Sequence, residues 1–164
     1  MPLHKGAPTL GHPEAQPRAR AGPGTILGMA DDTAVRPTDV FRELASRLDN
    51  REWEGAAELY AEDVVVTNPF APDGPTTSTG RDAVRQFFVG LGSQLDTLVI
   101  TDPTLTVGAD PEVLVAEFSF AATAAGGSVA FTLPAMFVLR VRDGQIISSR
   151  DYIGPRRATP AATG

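Results

Sequence analysis

The segment Gly144-Gln145-Ile146-Ile147-Ser148-Ser149-Arg150-Asp151-Tyr152-Ile153 reads as a strand by its β-branched content and carries an Arg-Asp pair where a buried strand would continue apolar. Side chains alternate across a strand, so Ile147, Ser149, Asp151 and Ile153 share one face. Ile146, Ser148, Arg150 and Tyr152 share the other. If the first face lines an interior, Asp151 is a carboxylate among aliphatic neighbours. Burial would then raise its pKa toward working pH, as a general base requires. The competing reading is a structural carboxylate paired with Arg150, Arg140 or Arg142, although Arg150 points to the opposite face. Asn68 ends a second apolar row with Val64, Val66 and Phe70. It either orients a substrate oxygen or a water, or caps the Pro69 turn through its own backbone.

Few other groups could share this chemistry. Both histidines, His4 and His12, lie in a Pro/Gly/Ala/Arg-rich stretch at the start, and the 164 residues include no cysteine. Acid–base work in the folded part must therefore use Asp, Glu or Tyr, with Arg as a fixed charge. Thiol nucleophiles, disulfides and a His/Cys zinc site lack their residues, and no metal or other cofactor is expected. The absence of cysteine fits a cytoplasmic protein.

Charge narrows the partners. Residues 1–28 carry +2 against −6 for the whole chain, so the remainder carries −8 and would repel a phosphate backbone. No apolar run is long enough to span a bilayer, and no apolar signal core follows Met1-Pro2-Leu3-His4-Lys5. The expected partner is an apolar small molecule, with no nucleic acid and no membrane.

The elements that would position these residues follow in order. Residues 1–36 show no sustained period and read as a disordered tail. Met29 reads as a second start, which would make the first 28 residues an extension. Thr38 is a suitable N-cap for a helix carrying Phe41, Leu44, Ala45 and Leu48. A second helix carries Trp53, Ala56, Ala57 and Tyr60 and ends at Asp63, where Val64 opens a strand to Asn68. Pro69 to Thr79 reads as a stiff irregular loop, and a third helix spans Arg81 to about Leu95, with Val84, Phe87, Phe88 and Leu91 on one stripe. Four antiparallel strands close the chain: 97–107, 112–123, 128–142 and, across an Asp143-Gly144 hairpin, the segment described first. The reading is an α+β domain over 37–155, a curved sheet with helices on one face, and a disordered tail over 156–164. Phe118 and Phe120 fall on an apolar strand face where pocket lining and ordinary core look identical, as they do for Trp53, Tyr60, Phe87 and Met136.

Trp53-Glu54-Gly55-Ala56-Ala57-Glu58-Leu59-Tyr60-Ala61-Glu62-Asp63, followed by Val66-Thr67-Asn68-Pro69, resembles the nuclear transport factor 2-like superfamily, nearest its SnoaL-like polyketide cyclase branch. Gly80-Arg81-Asp82-Ala83-Val84 and Gly144-Gln145-Ile146 with Arg150-Asp151-Tyr152 are also similar to limonene-1,2-epoxide hydrolase. The resemblance covers about residues 37–155. It implies a cone-shaped α+β barrel whose curved, mostly antiparallel sheet and three helices enclose an apolar pocket, and a homodimer formed through the sheet.

Position by position, the resemblance divides. The ketosteroid isomerase base falls on Asn68 and its oxyanion donors on Leu44 and about Met136, so that reaction is not expected. Asn68 and Asp151 match the water-holding Asn and Asp of the epoxide hydrolases. The Tyr of that site falls on Val66 and its bridging Arg and acid Asp on Phe118 and Phe120, which leaves no acid opposite the base. SnoaL-like cyclases use a pocket carboxylate to abstract a proton next to a carbonyl, a role Asp151 could fill.

The leading expectation is cyclisation or isomerisation of an apolar carbonyl compound such as a polyketide or terpenoid. Asp151 and Asn68 would be catalytic, and Leu44, Trp53, Tyr60, Val66, Phe70, Phe87, Phe118, Phe120 and Met136 would line the pocket. The alternatives are epoxide hydrolysis and a non-catalytic dimeric binding module.

Overall fold

A computed structural model describes residues 35–159. Apart from Val35 and Arg36, the expected N-terminal tail and the second start at Met29 lie outside the described residues.

The first helix, α1 (Pro37–Asp49), starts one residue before Thr38, because Pro37 supplies a helical φ and lacks the N–H that a first turn leaves unpaired. Arg36 takes the cap position and donates to Asp39 at 2.9 Å. Val40, Phe41, Leu44 and Leu48 form its buried stripe. The second helix, α2 (Trp53–Ala57), is shorter than the spacing to Tyr60 predicts. Tyr60 already belongs to β1 (Tyr60–Asn68), where it pairs with Ile146, so a non-local strand pairing overrides a local helical period.

Part of the expected loop is a strand, β2 (Thr76–Thr79), antiparallel to β1 with Thr76 opposite Asn68. All four of its residues are exposed, so it has no apolar alternation to reveal it. After α3 (Arg81–Gln94) come β3 (Thr97–Val107), β4 (Val113–Ala124), β5 (Val129–Arg142) and β6 (Gln145–Ile153), in the antiparallel succession read from the sequence. The β5–β6 hairpin turns on Asp143 and Gly144, with φ of 50° and 75°, the left-handed pair such a turn demands. Residues read as a tail from 156 include a short β7 (Arg157–Ala158) paired to β5.

The sheet runs β2-β1-β6-β5-β4-β3, with β1 parallel to β6 and the remaining pairs antiparallel. Its edges, β2 and β3, do not meet, so the curved sheet stays open. This is the α+β cone: three helices and a mostly antiparallel sheet around one apolar core of Phe41, Leu44, Leu114, Leu139, Ile146 and their neighbours.

Irregular pairing bends the sheet where the site lies. On β6, Val141 faces Ile146 while Arg140 faces Ser148, which leaves Ile147 as the extra residue of a bulge. The bulge inverts the alternation. Ile146, not Ile147, is fully buried, while Ser149, Asp151 and Ile153 keep the inward face predicted for them. No helix among the described residues is long and apolar enough to cross a membrane.

Candidate active site

A cavity of about 600 Å³ lies between the concave face of the sheet, α1 and α3. Leu44 and Leu48 of α1, Val84, Phe87, Phe88 and Leu91 of α3, and Phe120, Phe131, Leu133 and Phe137 of the sheet make its wall apolar. Among the described residues its only carboxylate is Asp151.

Asp151 and Asn68 reach this cavity from adjacent parallel strands. Val66 stands opposite Ser149 and Thr67 opposite Arg150, so one further step brings Asn68 beside Asp151 on the inward face. Burial pushes the Asp151 carboxyl up to about 6, and a hydrogen bond donated by the Ser149 hydroxyl opposes the rise. Ser149 is itself buried, which fixes the donor.

The structural partners proposed for Asp151 are committed elsewhere. Arg140 pairs with Asp110 at 2.6 Å and Glu112 at 3.1 Å, and Arg142 with Glu112 at 2.8 Å. Arg150 is exposed on the outer face.

Tyr60 enters the cavity beside this pair. Its phenol is raised by burial and, less, by the negative charge of Asp151, so it stays protonated and can donate a hydrogen bond. Its ring is held edge-on to Phe88 at 5.9 Å. Asn68 lines the cavity and also caps the turn that follows it. Its side-chain oxygen accepts the Phe70 N–H at 3.2 Å, an Asx turn that leaves the amide nitrogen as the group able to donate into the cavity.

Leu44, Val66, Phe87 and Phe120 also line the cavity, and four of the residues expected there do not. Trp53 packs on the backbone of Gly92 and under the Arg51 guanidinium, 5.6 Å from its ring centre. Phe70 lies beyond the end of β1, where the Asx turn redirects the chain. It is 70% exposed, with its ring 5.4 Å from Tyr152. Phe118 is core, ringed by Phe41 at 5.4 Å and by Phe120 and Phe137 at 4.9 Å. Met136 pairs with Tyr152 on the outward face, between the inward-facing Ala135 and Phe137.

Thr76, Ser78, Gln94 and Arg156 are cavity residues that the sequence reading passed over. Thr76 and Ser78 belong to β2, whose run of four hydroxyl residues has the β propensity that could have marked it. Arg156 follows Gly154-Pro155, which reads as the end of a domain.

Comparison with known proteins decides the family. The model of the SnoaL-like domain matches residues 41–149. The chain belongs to the SnoaL-like domain family. Among its relatives, an uncharacterised PhzA/B-like protein of Pseudomonas aeruginosa is 33% identical over 120 residues, covering 71% of this chain and 83% of that one. A crystal structure from Bacillus subtilis, provisionally named an isomerase, superposes with a TM-score of 0.65 at 25% identity, covering 72% of this chain and 86% of that one. The epoxide hydrolase/cyclase-like enzyme SalBIII, of pyran ring formation in polyether salinomycin, superposes with a TM-score of 0.61 at 18% identity over 71% of this chain and 89% of that one. At that identity the likeness concerns the fold, which is that of the nuclear transport factor 2-like superfamily.

Proposed function

We propose that this SnoaL-like domain is an acid–base enzyme that abstracts a proton next to the carbonyl of an apolar compound of the polyketide or terpenoid kind. The observation that carries this reading is the placement of Asp151, the only carboxylate among the described residues in an apolar cavity, where burial raises its pKa to about 6. Its carboxylate takes the proton from the carbon beside the carbonyl, and the C–H electron pair moves onto the carbonyl oxygen. Tyr60, kept protonated, and the Asn68 amide donate hydrogen bonds to the developing enolate oxygen. Asp151 then returns the proton to a different carbon, giving an isomer, or the enolate carbon attacks a second carbonyl of the same molecule, closing a ring whose alkoxide oxygen takes the proton back from Asp151.

Epoxide opening needs an acid for the leaving oxygen. The raised phenol of Tyr60 supports hydrogen bonding rather than proton release near neutral pH, so this reading has less behind it.

The test is solvent deuterium exchange. A panel of apolar ketones incubated with the protein in D2O should take up deuterium beside the carbonyl, and Asp151→Asn should lower the rate by about 10²- to 10⁴-fold while ligand binding persists. Exchange that survives Asp151→Asn removes the assignment. Labelled solvent oxygen appearing in a diol product would establish epoxide hydrolysis in its place.

A further inference from the structure

We propose that Arg156 is an anion-recognition residue at the cavity wall, and that the compound bound there is a carboxylate, an apolar keto acid rather than a neutral ketone or ester. The inference deepens the proposed function, since it concerns the same cavity, and it rests on different atoms.

Arg156 lines the cavity with its guanidinium 3.7 Å over the centre of the Phe131 ring, which is itself part of the wall. Stacking fixes the plane of the guanidinium while leaving its edge N–H groups free to donate, the geometry that reads a carboxylate through two parallel hydrogen bonds. Arg81 and Arg85 hold Glu58, Arg140 and Arg142 hold Glu112, and Arg150 and Arg157, which hold no carboxylate among the described residues, do not line the cavity. No carboxylate among the described residues pairs with Arg156.

The placement of this arginine is built by the fold. β6 stops at Ile153 opposite Ala135, and β7 takes over opposite Thr132 and Phe131. Pro134, which has no N–H to give, falls in the gap, and its carbonyl accepts the Gly154 N–H at 2.7 Å. A side chain at Gly154 could not fit: its Cβ would lie 2.8 Å from the Pro134 ring. The chain therefore folds tightly back on β5, and the Thr159 N–H, bonded to the Ala130 carbonyl at 3.0 Å, closes the segment around Arg156.

Charge supports the assignment. The chain carries −6, so a cation on the cavity wall is locally out of character. Asp151 stands opposite Phe137 of β5 while Arg156 lies over Phe131, six residues along the same strand, so the cation does not serve as the counterion of the base. Base and cation stand apart in one cavity of about 600 Å³, a size that suits a single drug-sized molecule. Such a ligand would lay its apolar body along Phe120, Phe131 and Phe137, with its carboxylate on Arg156 and its reacting carbon at Asp151.

The experiment compares 4-oxo-4-phenylbutanoate with its methyl ester by calorimetry on the full chain at low salt. The acid should bind about tenfold tighter than the ester or better. Arg156→Gln should erase that preference, with the acid losing more affinity than the ester, and Arg156→Lys should restore part of it. Asp151→Asn should keep the preference, because the base does not create it. Equal binding of acid and ester, no measurable binding of the acid, or a preference that survives Arg156→Gln would overturn the proposal. Deuterium exchange that is absent while the preference is present would count against the catalytic reading alone.

Discussion

Ser149 donates its hydroxyl hydrogen to Asp151 from two residues back along the inward face of β6. It favours the carboxylate form and so works against the burial that favours the protonated one. The two influences set the pH at which the base becomes available. The exchange rate kcat/KM should rise about tenfold per pH unit at low pH and level off above an apparent pKa of about 6. Ser149→Ala removes the interaction that lowers the pKa, so its profile should move to higher pH. A profile that stays in place or moves lower would rule out Ser149 as the group that tunes Asp151.

The same ionisation should be visible in stability. Asp151 ionises from an ordinary value of 3.8 when unfolded and from about 6 when folded. Between these the native state holds a proton that the unfolded chain has released, so stability falls as pH rises through the window and levels off above it. The full difference is on the order of 2–3 kcal/mol. Asp151→Asn cannot ionise, so denaturant unfolding should find it more stable than the parent above pH 6 and equal to it near pH 4. A constant difference across that range would mean that burial does not govern this carboxyl.

Tyr60→Phe tests the proposed donor to the enolate oxygen. The ring remains to pack against Phe88 while the hydroxyl is lost. Exchange should slow by about 10²-fold, mostly in kcat, because the hydrogen bond gains strength as charge develops on the oxygen. The apparent pKa of Asp151 should stay near its parental value, since burial and the Ser149 hydroxyl set it and the phenol is neutral. A change confined to KM would make Tyr60 a wall residue alone.

Much of this site could be read in one dimension. Asp151 stood out because a charged residue interrupted an apolar strand, and Asn68 because it ended one. The strand period gave Ser149, Asp151 and Ile153 their shared face, and the hairpin at Asp143-Gly144 gave β6 its antiparallel partner. What escaped was set by contacts between distant parts of the chain. The bulge at Ile147 depends on the register against β5, and it exchanged Ile146 for Ile147 in the core. Tyr60 left its helical period to pair with Ile146, and β2 and Arg156 are placed by β1 and β5 respectively. Phe118 and Phe120 share a strand face, and only depth in the fold separates core from cavity wall.

The wall formed by α3 also depends on a small residue at one position. A Cβ at Gly92 would stand 2.3 Å from the Trp53 indole nitrogen, so the close approach of α2 to α3 requires the missing side chain. Gly90, two residues earlier in the same helix, has nothing within 4 Å of its Cβ position. Gly90→Ala should therefore stabilise the protein by about 0.4–1 kcal/mol through helix propensity and reduced unfolded-state freedom. Gly92→Ala should destabilise it by about 1–3 kcal/mol, because the rigid indole must move or the helices must part. Denaturation midpoints of the two variants check this directly: opposite signs are expected from the same substitution in one helix. Equal effects would mean that Trp53 does not hold α3 in the position that closes the cavity.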